Sequence, residues 1–188
     1  MYYVKDSIEY GLIKEFYGTD CANRSGVPLI NHIDEGLAIL EWLGASRAAM
    51  GGYCLHPMVQ NEIDHNDNID SLEAIPEIEC SLELALRYRQ FANAYLCRPG
   101  TDTWDIPVIR RVLVNAAGLM NKQVNYMLIA DKVQNQKDFL KYHYGTHARS
   151  EQLKKYFENW LVVLDYQTEV DRRSGKLVIF EDGVDWQC

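Results

Sequence analysis

The chain has 188 residues, of which 47% are hydrophobic and 24% are charged, and its formal net charge is −8. These values suit one globular domain with a single hydrophobic core, and they exclude disordered and collagen-like classes. The negative charge argues against a general nucleic-acid binder, because such a protein needs a cationic surface to release counterions from phosphates. A small anionic ligand in a local basic or metal pocket remains compatible with this charge.

The five cysteines are widely spaced and form no CxxC pair, which argues against a zinc ribbon or a thioredoxin-like site. Cys54, Cys80 and Cys97 lie among apolar residues, where free thiols behave as small hydrophobic groups. Residues 1–6 lack the basic region and apolar run of a signal peptide, and no apolar stretch approaches 18 residues. We therefore expect a cytoplasmic protein without a membrane partner.

Apolar spacing predicts four helices in the first half of the chain. The first covers residues 1–20 and is followed by a turn at 20–29. Helical periodicity resumes at Ile33 and is stopped by Gly44, and a further helix runs through Tyr53 and Leu55. Residues 60–76 are polar and rich in Asn and Asp, which predicts a long loop. The fourth helix begins at Pro76 and ends near residues 98–100.

The second half is predicted to be helical up to a β-like tail. Residues 106–143 are too long for one typical helix, and Gly118 and Asn121 mark the expected break. A last helix starts near Ser150, which is expected to cap it. Residues 173–180 read as a turn followed by a short strand. The predicted fold is therefore an all-α bundle over residues 1–165, with a β-hairpin or arm over 166–188 packed on the domain or on a neighbouring subunit.

Three remote segments supply residues that can bind a cation. His32 opens an amphipathic helix and His56 follows an alanine-rich, apolar helix. Asp131 and Asn135 are four residues apart and share a helix face with apolar residues. A partly buried carboxylate there needs a cation or hydrogen-bond donors. Two histidines and one aspartate on separate helices commonly gather around one divalent cation.

Together these segments resemble the HD-domain phosphohydrolases, and most closely the RelA/SpoT-type alarmone hydrolases. In that family a basic-Gly-Pro stretch precedes a first histidine, which Arg24, Pro28 and His32 match. An alanine-rich helix then ends in His-Asp, where His56 matches the histidine. A later helix carries Leu-Ala-Asp-Arg-Leu-His-Asn, which residues 129–135 match with the same Asp-to-Asn spacing. The resemblance covers about residues 8–165.

The chain departs from this family at the second motif. Pro57 replaces the second aspartate and cannot ligate a metal, and we expect it to end the helix before His56. Gln60 and Asn61 replace a Glu-Asp pair near the attacking water, and neutral amides are poor general bases. Within the predicted loop, Glu62, Asp64 and His65 can supply a replacement ligand or base, and we rank Asp64 first and His65 second.

The resemblance implies a metal-dependent phosphohydrolase that acts on a nucleotide, such as a guanosine polyphosphate alarmone. It implies a divalent metal, preferably Mn²⁺, held by a triad of His32, His56 and Asp131. Asp64, Gln60 and Asn61 form the expected catalytic set, and the expected substrate-binding residues are Arg24, Lys132 and Asn135. The alternative is a catalytically degenerate HD-fold protein that binds a nucleotide or serves as an interaction module. A homo-oligomer is also compatible with the β-like tail.

Overall fold

Helices account for nearly all the regular structure of the residues that the structure describes. The computed structural model describes residues 4–23, 25–94, 105–115, 121–146 and 148–166, although the side chains of 94 and 112–115 are not described. These residues form eight α-helices, one 3-10 helix and an isolated bridge between Cys21 and Pro28. The helices are α1 (Ile8–Tyr17), α2 (Ile30–Leu43), α3 (Arg47–Gln60), α4 (Glu62–Glu73), α5 (Glu79–Ala94), α6 (Ile106–Asn115), α7 (Lys122–Tyr142) and α8 (Ser150–Val163), with the 3-10 helix Pro76–Ile78 before α5. The all-α prediction is confirmed for the described residues.

Helix α3 lies at the centre of the bundle and packs against α1, α2, α4, α5 and α7. Its contact with α5 depends on two glycines that let the backbones approach. A Cβ atom on Gly52 would lie 2.8 Å from the Ser81 carbonyl oxygen, and one on Gly51 would lie 2.4 Å from the Ser81 hydroxyl. That hydroxyl donates a 2.7 Å buried hydrogen bond to Glu9 of α1. The face of α3 that carries Gly51 and Gly52 is therefore held in place by close packing against α5 and α1.

Local end signals set the boundaries of α2 and α7. Gly44 ends α2 in the left-handed conformation at φ 66°, and its N–H donates to the carbonyls of Glu41 and Leu40. The Asn121 side chain accepts a 2.9 Å hydrogen bond from the Val124 N–H and caps α7. The break expected at Asn121 is confirmed, whereas Gly118 lies outside the described residues. Since α2 packs against α7, the two helices bring His32 close to Asp131.

The predicted loop at 60–76 is wrong, because most of this segment is helix α4. Asn61 caps the helix by accepting a 2.8 Å hydrogen bond from the Asp64 N–H. Glu62 and Asp64 place acidic groups at the positive end of the helix dipole. Leu72 is the buried residue of α4, so the helix lacks the apolar stripe that periodicity detects.

Three predicted helix ends also differ from the structure. Helix α3 continues through Pro57 to Gln60, so the expected end before His56 is wrong. The first helix begins only at Ile8, where Ser7 caps it. Ser150 does not cap α8, because its hydroxyl instead accepts a 3.0 Å hydrogen bond from the Gly145 N–H.

The C-terminal hairpin or arm is predicted over residues 166–188, of which 167–188 lie outside the described residues. Tyr166 is described and is buried. Over the described residues, every helix is too short or too polar to cross a membrane.

Candidate metal centre

Three side chains from three helices converge at one point inside the bundle. His32 lies in the first turn of α2, His56 near the end of α3 and Asp131 in the middle of α7. The two Nε2 atoms of the histidines are 3.3 Å apart, and His32 Nε2 is 3.7 Å from Asp131 Oδ1. One ligand atom from each residue lies within 4.8 Å of the others, so this group can hold a metal ion.

His56 is held as a neutral imidazole with Nε2 unprotonated. Its Nδ1 lies 2.6 Å from the Tyr53 carbonyl oxygen. A carbonyl only accepts, so Nδ1 carries the proton and the Nε2 lone pair faces His32. Burial, followed by the neighbouring His32, lowers the pKa of His56 to about 3. His56 is therefore available as a ligand throughout the neutral pH range.

The Nδ1 atom of His32 also faces an acceptor, since it lies 2.6 Å from Gln134 Oε1. The Gln134 amide has one consistent orientation, because its Nε2 donates to Glu35 Oε2 at 3.1 Å and to Asp138 Oδ2 at 2.7 Å. The Gln134 side-chain oxygen therefore faces His32 and accepts a hydrogen bond from its Nδ1–H. Such a partner behind a ligating histidine fixes the ring and its tautomer. Lys137 Nζ in turn contacts Glu35 and Asp138.

Tyr53 supports His32 from α3. Its hydroxyl lies 3.3 Å from His32 Nε2, and the two rings stack with centroids 5.5 Å apart. The ring occupies space that a side chain at position 36 would fill, since a Cβ on Gly36 would lie 2.1 Å from Tyr53 Cε1. Burial, followed by the Asp131 charge, raises the pKa of Tyr53, so the phenol remains a neutral donor.

Asp131 is buried and ionised because two donors satisfy it. Lys132 Nζ lies 2.9 Å from Oδ2, and Asn135 Nδ2 donates to Oδ1 at 2.8 Å. Burial alone would raise the pKa of Asp131, but Lys132 and the two histidines outweigh it and lower the pKa to about 2. The Lys132 ammonium also lies over the Trp160 ring, 5.3 Å from its centroid.

The donor set fits a divalent cation. Imidazole nitrogen and carboxylate oxygen are ligands for first-row transition ions, and three protein ligands leave positions for water or substrate. A carboxylate has about four lone-pair sites, so Asp131 keeps acceptor capacity beside its two hydrogen bonds. The Lys132 ammonium opposes binding, because it already neutralises the charge of Asp131.

The triad opens onto a cleft of about 660 Å³, a size typical of small-molecule sites. Three aromatic side chains contribute to its wall, namely Tyr17 from α1 and Tyr156 and Phe157 from α8. Gln60 and Asn135 add polar groups to the lining. The cleft therefore offers flat apolar surfaces close to the three ligands.

The predicted catalytic residues lie in different surroundings. Gln60 borders the cleft, and its carbonyl oxygen accepts hydrogen bonds from Arg89 and Asn93 of α5. Asn61 and Asp64 are not part of the cleft lining; Asn61 caps α4 and its side-chain amide donates to the Asp64 carboxylate. The charge of Asp64 nevertheless contributes to raising the pKa of Tyr17, after burial and the charge of Asp131.

The predicted substrate-binding residues differ in the same way. Lys132 and Asn135 both line the cleft, and both donate to Asp131. Arg24 lies outside the described residues, although its neighbour Ser25 lines the cleft.

Sequence reasoning did not single out Tyr53 or Gln134 as site residues. Both carry a positional signal, because Tyr53 is three residues before His56 and Gln134 is three residues after Asp131. At that spacing side chains share a helix face with the ligand. Asp138 was not singled out either. It lies four residues after Gln134, on the same helix face, and it lines the cleft.

Comparison with known proteins gives no family for this chain: no protein-family model, no curated protein and no solved structure matches it.

Proposed function

We propose that the chain is a metal-dependent phosphohydrolase that acts on a nucleotide. The observation that supports this proposal is the convergence of His32 Nε2, His56 Nε2 and an Asp131 carboxylate oxygen on one point beside a cleft. Two imidazole nitrogens and one carboxylate oxygen within 4.8 Å of one another are ligand types and distances that suit one divalent cation.

Mn²⁺ is the ion that we propose, from the resemblance to HD-domain phosphohydrolases. A divalent cation supplies Lewis acidity, which lowers the pKa of water and polarises a phosphoryl oxygen. The chain itself orients the ligands through Gln134 and the Tyr53 carbonyl, and it keeps Asp131 ionised through Lys132. Tyr17 and Phe157 offer surfaces on which a nucleobase can stack.

Asp138 is the carboxylate that lines the cleft beside Asp131. Its carboxylate accepts a hydrogen bond from Gln134 and lies 3.0 Å from Lys137 Nζ. We therefore assign Asp138 to positioning Gln134 rather than to the general-base role. We propose that Asp64, at the start of α4, is the general base, because its charge acts on Tyr17 in the cleft wall. Guanosine polyphosphate alarmones are the substrates that we place first.

A second candidate function is a nucleotide-binding or interaction protein that does not hydrolyse its ligand. The observation that favours it is the Lys132–Asp131 pair, in which the ammonium already neutralises the carboxylate. Pro57 and Gln60, at the cleft wall in place of carboxylates, point the same way.

The test combines Mn²⁺ titration calorimetry with a hydrolysis screen over nucleotides, including guanosine tetraphosphate, on protein purified without chelator. The wild type is expected to bind Mn²⁺ and to release phosphate or pyrophosphate. Asp131→Asn is expected to lose both properties, whereas the matched variant Asp64→Asn keeps Mn²⁺ binding and loses turnover. Nucleotide binding without turnover would favour the second candidate, and a wild type that binds no divalent ion would overturn the metal centre.

A further inference from the structure

Pro57 occupies an interior position of α3, where a proline normally costs an intrahelical hydrogen bond. In an α-helix the N–H of residue 57 would donate to the carbonyl of residue 53. Pro57 has no N–H, so the Tyr53 carbonyl is left without its usual donor. The structure shows what takes its place, since His56 Nδ1 lies 2.6 Å from that oxygen.

This replacement decides which nitrogen of His56 carries the proton. Donation to Tyr53 places the proton on Nδ1 and leaves Nε2 as an acceptor. In the other tautomer Nε2 would carry the proton and could donate to His32 Nε2, which is only 3.3 Å away. In that hydrogen bond neither Nε2 atom would keep a lone pair free for a cation. The two tautomers therefore correspond to a triad that is open to a cation and one that is closed.

On the other side of the pair, Gln134 and Tyr53 contact the two nitrogens of the His32 ring. Its Nδ1 proton is directed to Gln134, whose amide is fixed by Glu35 and Asp138. The Tyr53 hydroxyl lies 3.3 Å from His32 Nε2 and contacts the ring from the side of α3. The state of the triad thus depends on how firmly the Tyr53 carbonyl holds His56.

We infer that Pro57 is a positioning residue that keeps the triad open: by removing one backbone N–H, it reserves the Tyr53 carbonyl for His56 Nδ1. Pro57 stands where the HD-domain phosphohydrolases have an aspartate ligand. In its place it orients His56, one of the three remaining candidate ligands. The consequence for metal affinity rests on the proposed function, whereas the tautomer itself does not.

The test is ¹⁵N nuclear magnetic resonance of the histidine side chains in metal-free protein, which distinguishes a protonated from an unprotonated ring nitrogen. Wild-type His56 is expected to show Nδ1–H alone. Pro57→Ala restores the N–H and is expected to populate the Nε2–H form. Pro76→Ala, which changes a proline at the start of the 3-10 helix, serves as the matched control and is expected to leave His56 unchanged.

A protein with N-methylalanine at position 57, made by ligation, lacks the N–H without the proline ring and is expected to restore the wild-type tautomer. Titration calorimetry should show about five-fold weaker Mn²⁺ binding by Pro57→Ala, the factor that corresponds to one hydrogen bond of about 1 kcal/mol. An Nε2–H form in the wild type, or an unchanged His56 in Pro57→Ala, would overturn the inference. A tautomer change without any Mn²⁺ binding would uphold it and refute the proposed function.

Discussion

The close contact between Gly36 and Tyr53 predicts that Gly36→Ala destabilises the protein. An added Cβ would lie 2.1 to 2.3 Å from three atoms at the end of the Tyr53 side chain. Tyr53 is fully buried, so the ring cannot swing into solvent. Overpacking of this severity costs about 3 kcal/mol, and the better helix propensity of alanine returns about 1 kcal/mol. We expect the free energy of unfolding to fall by about 2 kcal/mol.

The matched control is Gly11→Ala in α1. Gly11 is exposed, and a Cβ there would meet nothing within 4 Å. Only the helix-propensity gain applies, so this variant should be more stable by up to about 1 kcal/mol. Urea unfolding followed by circular dichroism measures both changes, and the two variants should shift the midpoint in opposite directions.

Equal stability of Gly36→Ala and the wild type would refute this reasoning, because it would mean that the ring and α2 can separate at no cost. A second readout concerns the triad. Displacement of Tyr53 removes the hydroxyl from His32 Nε2, so the His32 side-chain ¹⁵N signals should move in Gly36→Ala and stay in place in Gly11→Ala.

Two further predictions concern burial. The pKa of His56 is about 3 in the folded protein and 6.5 for a histidine exposed to water, so the unfolded state takes up the proton first as pH falls. The contribution of neutral His56 to the free energy of unfolding is fully present above pH 6.5 and is lost as the pH falls toward 3. Between pH 7 and pH 5 the loss is about 2 kcal/mol. A urea unfolding midpoint that is no lower at pH 5 than at pH 7 would contradict this prediction. Ser81→Ala removes the donor of buried Glu9 and should lower the free energy of unfolding by about 1 to 3 kcal/mol. Ser71→Ala, on the exposed face of α4, should lower it by less than about 0.5 kcal/mol. Equal destabilisation of the two variants in thermal unfolding would refute this prediction.

Much of the helical frame is predictable because its signals are local. Gly44 and Asn121 end or begin a helix through their own backbone or side chain, and each does so where the sequence indicates. The convergence of His32, His56 and Asp131 was also expected, although from a resemblance rather than from spacing. No local rule places three residues, separated by up to 99 positions, within 4.8 Å.

The errors come from tertiary compensation. A polar segment such as 62–73 reads as a loop, because capping and dipole effects at Asn61 and Glu62 do not register as apolar periodicity. Pro57 predicts a helix end, because proline lacks the N–H that would donate to the Tyr53 carbonyl. The sequence does not reveal that the His56 side chain donates to this carbonyl instead. Ser150 has the residue type of a cap, but its hydroxyl already serves Gly145.

The Gln134 amide joins two parts of the molecule that a ligand would use separately. Its oxygen holds His32, while its nitrogen donates to Asp138 on the cleft wall. A ligand that displaced Asp138 would alter the hydrogen bond from His32 to Gln134, and an ion at His32 would act on Asp138 through the same amide. Each would then change the affinity of the other by the same factor, since such linkage is reciprocal.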